Sequence, residues 1–229
     1  MSSYRKIGVI GGMGPEATAV FYRQIIQLFQ SERGARFNGE FPEMLIHNVP
    51  SPDNVGDLVD ENLLPYLLNS LRLLENAGMD FAVMPCNSAH VHIEALKAAA
   101  RIPVLDITLA TANAVKDGGV SHVLVLGTRS TLTKGLYDRH LEAAAIPYTI
   151  PNRTHQDEIT QIILRFCEGK ADEETRGRLI EIIAGYPEAD GVILGCTELP
   201  PLVSQEDTDR KLFNSSLILA RAAYAFSVG

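Results

Sequence analysis

Two cysteines, Cys86 and Cys196, stand in matching surroundings. Around the first the chain runs Phe81-Ala82-Val83-Met84-Pro85-Cys86-Asn87-Ser88, and around the second Val192-Ile193-Leu194-Gly195-Cys196-Thr197. Each stretch reads as an apolar strand, a thiol, and then a polar residue of the type that caps a helix. A thiol at a helix start ionises more readily, because the positive end of the helix dipole stabilises the thiolate. One cysteine near a strand end is usually a small buried hydrophobe. Two of them, one in each half of a repeated chain, fit a different chemistry, in which one face of a carbon is deprotonated while the opposite face is reprotonated. Asn87, Ser88 and Thr197 serve as caps by their type, and short polar side chains beside free helix amides also suit a carboxylate.

The elements that must hold these thiols follow a repeating grammar. Lys6 to Gly11 reads as a buried strand, Gly11-Gly12-Met13-Gly14 as a tight turn, and Pro15 as the opening of a helix with apolar residues at Val20, Phe21, Ile25, Leu28 and Phe29. The pattern predicts strands at 44–49 and 81–84, an amphipathic helix over 63–77 stopped by Gly78, a helix from about Ala89, a short strand over 102–107 and a helix over 109–115. Then the order restarts with a strand at 122–128 ending in Gly127-Thr128 and a helix over 130–144. A strand at 146–150, helices over 157–168 and 175–184, a strand at 191–196, a short strand at 212–213 and a helix over 217–226 follow. Gly11 and Gly127 lie 116 positions apart and Cys86 and Cys196 lie 110 apart, so two similar α/β units are expected. In open α/β sheets ligands bind beyond the carboxyl ends of the strands, where this reading puts both cysteines and both glycine turns. If the units face one another, one cleft holds both thiols.

Composition removes several function classes. The chain has 229 residues, 46% hydrophobic and 21% charged, enough for one large domain or two small ones with buried cores. A net charge of -8 argues against sequence-independent nucleic-acid binding, and no basic cluster suits an anionic membrane. The apolar stretch after Arg5-Lys6 is too short for a signal sequence and no run approaches a membrane span, so a cytoplasmic protein is expected. Three cysteines with no CxxC pair do not make a disulfide framework or a structural zinc site, and HExxH is absent, so no metal is expected. His90 and His92, two apart on a helix, point to different faces and read as surface or supporting groups. The glycines of Gly8-Val9-Ile10-Gly11-Gly12-Met13-Gly14 do not fit a dinucleotide fingerprint. They suit a tight turn or a close approach to a ligand equally. Thr18 reads as a surface or packing residue, Cys167 as part of a helix stripe with Ile159, Ile162, Ile163 and Phe166, and Glu198 as either a site-orienting group or a favourable residue at a helix start.

The stretches GGMGPEAT at 11–18, PCNSAH at 85–90, GTRSTLTKGLY at 127–137 and GCTE at 195–198 together resemble the aspartate/glutamate racemase family, in order and over nearly the whole length. GCTE leans toward its aspartate racemase branch. The resemblance implies an α/β fold of two pseudo-symmetric flavodoxin-like or Rossmann-like domains with parallel sheets and the active site in the cleft between them. It places residues 1–110 with 212–229 in the first domain and 111–211 in the second, the final helix returning to the first. It implies amino-acid racemisation without pyridoxal phosphate or any other cofactor, a small-molecule amino-acid substrate, and a homodimer. By it Cys86 and Cys196 are the catalytic thiols, and Met13, Asn87, Ser88 and Thr197 surround the substrate. The chain departs from the pattern of members acting on acidic substrates. Asn54 stands where an arginine is common, Glu158 where a basic residue is, and Asn214-Ser215-Ser216 with Leu219 replaces a threonine-rich turn and a histidine. Arg153, His155 and Arg129 are the alternative partners for a side-chain carboxylate, and a neutral or cationic amino acid also fits. Two rival functions accompany this one: a thiol-dependent isomerase or decarboxylase of the same superfamily, and a non-catalytic small-molecule binding protein.

Overall fold

A computed structural model describes residues 4–50 and 63–229. Asn54 and its loop therefore lie outside the described residues. The elements run β1 (Ile7–Gly11), α1 (Pro15–Arg33), β2 (Met44–Asn48), α2 (Leu63–Asn76), β3 (Phe81–Val83), α3 (Ile93–Ala99) and α4 (Ile107–Gly118). They continue through β4 (Val123–Gly127), α5 (Arg129–Thr133), α6 (Asp138–Ala143), β5 (Tyr148–Thr149), α7 (Arg153–Cys167), α8 (Glu173–Ala184), β6 (Gly191–Gly195), β7 (Lys211–Asn214) and α9 (Ser215–Val228). Two compact units result. Among the described residues the first comprises 4–50, 63–107 and 216–229, and the second 108–215.

In the first unit β1 lies between β2 and β3, all parallel, with Ile7 opposite Met44 on one side and Phe81 on the other. Side chains alternate across a strand, so the sheet divides its apolar residues between two faces. Ile7, Val9, Phe81 and Val83 pack with Phe21, Ile25 and Phe29 of α1 and Leu219, Ala220 and Ala223 of α9. Ile10 and Ala82 pack with Leu63, Leu67, Leu71 and Leu74 of α2, in the cluster that also contains Cys86. Pro15 stands at the start of α1, and Gly34 closes it in the left-handed conformation, φ 65°.

The second unit has the order β5-β4-β6-β7, again all parallel. Its first three strands repeat the order β2-β1-β3, so in both units the strand ending in a glycine turn is the direct neighbour of the strand leading to a cysteine. Leu124, Leu126, Val192 and Leu194 pack with Ile159, Ile162 and Ile163 of α7 and Leu179, Ile182 and Ile183 of α8, a cluster that reaches Cys196.

Several expected elements differ. The strand expected at 102–107 is reduced to one bridge between Ala82 and Val104, because Pro103 has no N–H to give and only its carbonyl pairs, with Ala82 N at 2.8 Å. The helix expected over 130–144 breaks into α5 and α6 at Gly135, whose φ is 59°. Helix α7 begins four residues early, because Asn152 caps it by accepting from His155 N at 3.0 Å.

Candidate active site

In the first unit the turn after β1 is shaped by Thr18. It is buried, and its hydroxyl accepts from Gly12 N at 2.9 Å while donating to Gly14 O at 3.1 Å. Gly12 itself has φ 95°, and a Cβ there would meet Val49 N at 2.6 Å, so the turn admits only glycine. Met13, in this turn, packs on the cluster containing Cys86. After β3 the chain turns at Pro85, with Cys86 N donating to Met84 O at 2.8 Å. Cys86 is 6% exposed and its Sγ lies 3.5 Å from Ser88 Oγ.

No α-helix begins directly after Cys86. Residues Ser88–His92 form a tighter 3-10 turn, Asn87 makes no side-chain cap bond, and α3 starts only at Ile93. The reason is His90, buried rather than on a helix surface. Its Nδ1 lies 2.7 Å from Cys86 O and its Nε2 lies 3.1 Å from Ile107 N. A carbonyl only accepts and a backbone N–H only donates, so Nδ1 carries the ring hydrogen and Nε2 accepts. His90 thus clamps the Cys86 backbone to the start of α4. His92 is only partly buried, and burial pushes its pKa below the usual range.

In the second unit Gly127 and Gly195 are paired in register, so Thr128 and Cys196 leave adjacent strands together. Thr128 caps α5 by accepting from Thr131 N at 3.3 Å. Cys196 is 8% exposed, and its Sγ donates to Glu198 Oε2 at 2.9 Å; Thr197 Oγ1 donates to the same oxygen at 2.9 Å. Here too the expected helix is absent. Residues 196–202 form successive turns, with Leu199 N on Cys196 O at 3.1 Å, because Pro200 and Pro201 supply no N–H. Neither thiol therefore sits at the N-terminus of an α-helix. Each has instead a polar side chain two residues on, Ser88 or Glu198.

The remaining sequence candidates separate from this pattern. Cys167 is an exposed residue rather than a packing one, yet partial shielding of its sulfur from water, then the charge of Glu198, push its thiol up to about 11. Arg129 pairs with Asp157, Glu158 with Arg178, and His155 Nδ1 lies 2.8 Å from Tyr186 Oη. A cavity of about 450 Å³ is lined by residues including Arg129, Asp157, Glu158 and Arg178, but Cys196 does not line it. Ser215 Oγ donates to Leu194 O at 2.8 Å, and Ser216 Oγ to Gln24 Oε1 at 3.1 Å. Sequence reasoning missed the His90 clamp and the buried, unpartnered hydroxyl of Ser130; no periodicity signals either. Among the described residues no three His, Cys, Asp or Glu side chains converge as a metal site, and no helix is long and apolar enough to cross a membrane.

The model of the Asp/Glu/hydantoin racemase family matches residues 10–223. The chain belongs to that family. It is 28% identical over 221 residues to the broad specificity amino-acid racemase RacX of Bacillus subtilis (strain 168), covering 94% of this chain and 95% of that one. The fold is similar to the crystal structure of an aspartate racemase homologue from Pyrococcus horikoshii OT3, with TM-score 0.82, 28% identity and coverage of 98% and 100% of the two chains. It is also similar to Picrophilus torridus aspartate racemase, with TM-score 0.81, 25% identity and coverage of 96% and 93%. Membership favours neither the thiol-dependent isomerase or decarboxylase reading nor the non-catalytic binding one.

Proposed function

We propose that this chain, an amino-acid racemase of the family, inverts Cα with Cys86 and Cys196 as its acid–base pair and needs no pyridoxal phosphate. The observation that carries the proposal is the duplicated placement: in each unit a cysteine follows the strand next to the one that ends in a glycine turn. One thiolate takes the Cα proton, and the electron pair of that bond passes toward the substrate carboxylate. The opposite thiol then delivers its proton to the other face of Cα. Met13, Asn87, Ser88 and Thr197 are the proposed substrate contacts, with polar groups placed where negative charge develops. The substrate is a free α-amino acid, and the likeness to a broad specificity racemase supports tolerance of more than one side chain.

The test is a screen of amino acids in deuterated water, following Cα-H by NMR and enantiomer ratio by chiral chromatography. For the substrates found, Cys86→Ala and Cys196→Ala each lose at least about 100-fold in racemisation. Each retains Cα exchange of one enantiomer only, opposite for the two variants, because one thiol still reaches one face. Racemisation at the parental rate in either variant removes that cysteine from the chemistry.

A further inference from the structure

We infer that His90 is a positioning residue of the racemase reaction. Its Nδ1–H, given to the carbonyl of Cys86, aims that thiol at the substrate Cα, a role that rests on Cys86 being one of the two acid–base groups. The ring is 2% exposed, with Nδ1 2.7 Å from Cys86 O and Nε2 3.1 Å from Ile107 N. On the other side of the cysteine, Cys86 N donates to Met84 O at 2.8 Å. Both backbone groups that flank the Cys86 Cα are therefore tied, and this fixes the direction of its Cα–Cβ bond. Rotation about that bond is all that is left to the sulfur.

The far end of the ring is anchored in the core. Ile107 is wholly buried in the cluster with Ile7, Val9, Phe21 and Phe81, and its N–H, at the first turn of α4, is one for which a helix offers no carbonyl of its own. By accepting it, Nε2 leaves Nδ1 to carry the ring hydrogen. The His90 backbone is held as well, its N–H donating to Asn87 O at 2.9 Å. A ring pinned in this way passes its rigidity to the Cys86 peptide. Without the Nδ1–H bond that peptide loses a restraint, and a shift of the sulfur by about 1 Å lowers a proton-transfer rate on the order of 100-fold. The two ring nitrogens thus have separate tasks: Nδ1 aims the thiol, and Nε2 serves the fold and the tautomer.

Two amide side chains separate these tasks. Asparagine carries its nitrogen two bonds from Cβ, as Nδ1 is placed, and can donate to Cys86 O. Glutamine carries its oxygen three bonds out, as Nε2 is, and can accept from Ile107 N. His90→Asn is expected to keep kcat within a few-fold of the parent, while His90→Gln loses roughly 10- to 100-fold in kcat with KM changed less than about twofold. Cα-H exchange in deuterated water, followed for each enantiomer, reads the role more sharply. In His90→Gln, exchange of the enantiomer that Cys86 deprotonates falls and exchange of the other is retained, the same sense as in Cys86→Ala. A general loss of structure slows both alike. Nitrogen NMR of the parent reads the tautomer with no substitution: a proton on Nδ1 at neutral pH is expected, and a proton on Nε2 alone overturns the inference even if neither variant folds. It is equally overturned by His90→Gln at the parental kcat, by His90→Asn no better than His90→Gln, or by equal slowing of both enantiomers. Cys86→Ala measured alongside separates the two levels. Racemisation at the parental rate in that variant sinks the thiol reading; its loss beside a fully active His90→Gln sinks only the role of His90.

Discussion

A thiol does acid–base work only when its neighbours decide where its backbone points and where its proton rests. At Cys86 the backbone is set by His90, whose two ring nitrogens are both occupied by backbone groups, Cys86 O and Ile107 N, and so are not available as a base. At Cys196 the sulfur donates to Glu198 Oε2 at 2.9 Å. Neither role was legible from residue type, since histidine and glutamate near a cysteine suit many purposes and only rotamers and bond partners separate them. Asp190 is a third case, outside the site. It accepts from Ser121 N, His122 N and Ser121 Oγ, and the two backbone N–H groups above all hold its carboxyl down at about 2. Its pKa is depressed on folding, so the stability it adds is present above the ordinary value near 3.8 and is lost as pH falls toward about 2. Asp190→Asn is expected to melt below the parent at neutral pH, with the gap closing between about pH 4 and 2. Parallel melting curves by circular dichroism across that range check it; a gap that persists unchanged at pH 2 contradicts it.

The elements were more readable than the residues. Apolar runs followed by glycine turns or a cysteine marked β1, β3, β4 and β6, because a strand buried on both faces must be continuously apolar and its sharp exit needs small residues. Helix starts were less readable. Capping residues follow both cysteines, yet a buried histidine tightens one segment into a 3-10 turn, and paired prolines turn the other away from helix. Gly195 shows how closely the cysteine-bearing strand is fitted. A Cβ there would lie 2.5 Å from Leu126 O and 3.1 Å from Tyr137 Cε2, atoms of the neighbouring strand and of a buried ring. Gly195→Ala must push β6 away from β4, just before Cys196. The expected cost is about 1–3 kcal/mol of stability, read by urea unfolding, together with lower kcat. Unchanged unfolding would show that the strand end yields freely.

At the scale of the molecule, the chain returns at its end to where it began. Arg5 N donates to Ser227 O at 2.9 Å, Ser227 Oγ donates to Arg5 O at 2.8 Å, and the Arg5 guanidinium lies 4.8 Å over the Phe226 ring. Phe226 in turn meets Phe81 of β3 with ring centroids 4.8 Å apart. Phe226→Ala is expected to cost about 2 kcal/mol, below the range for a fully buried ring because Phe226 is partly exposed. A midpoint unchanged in chemical denaturation would show that α9 does not brace the first unit. What the amino-acid sequence determined by itself was the alternation of strand, glycine turn and helix, its repetition, and the place of each cysteine just beyond a strand, because these follow from apolar period and turn chemistry within short windows. Tertiary structure alone decided that β1 neighbours β3 and β4 neighbours β6, the strands that lead to the cysteines, that Pro103 leaves a bridge instead of a strand, and which side chain touches each sulfur. Those depend on N–H groups, carbonyls and rotamers that meet only once the chain has folded.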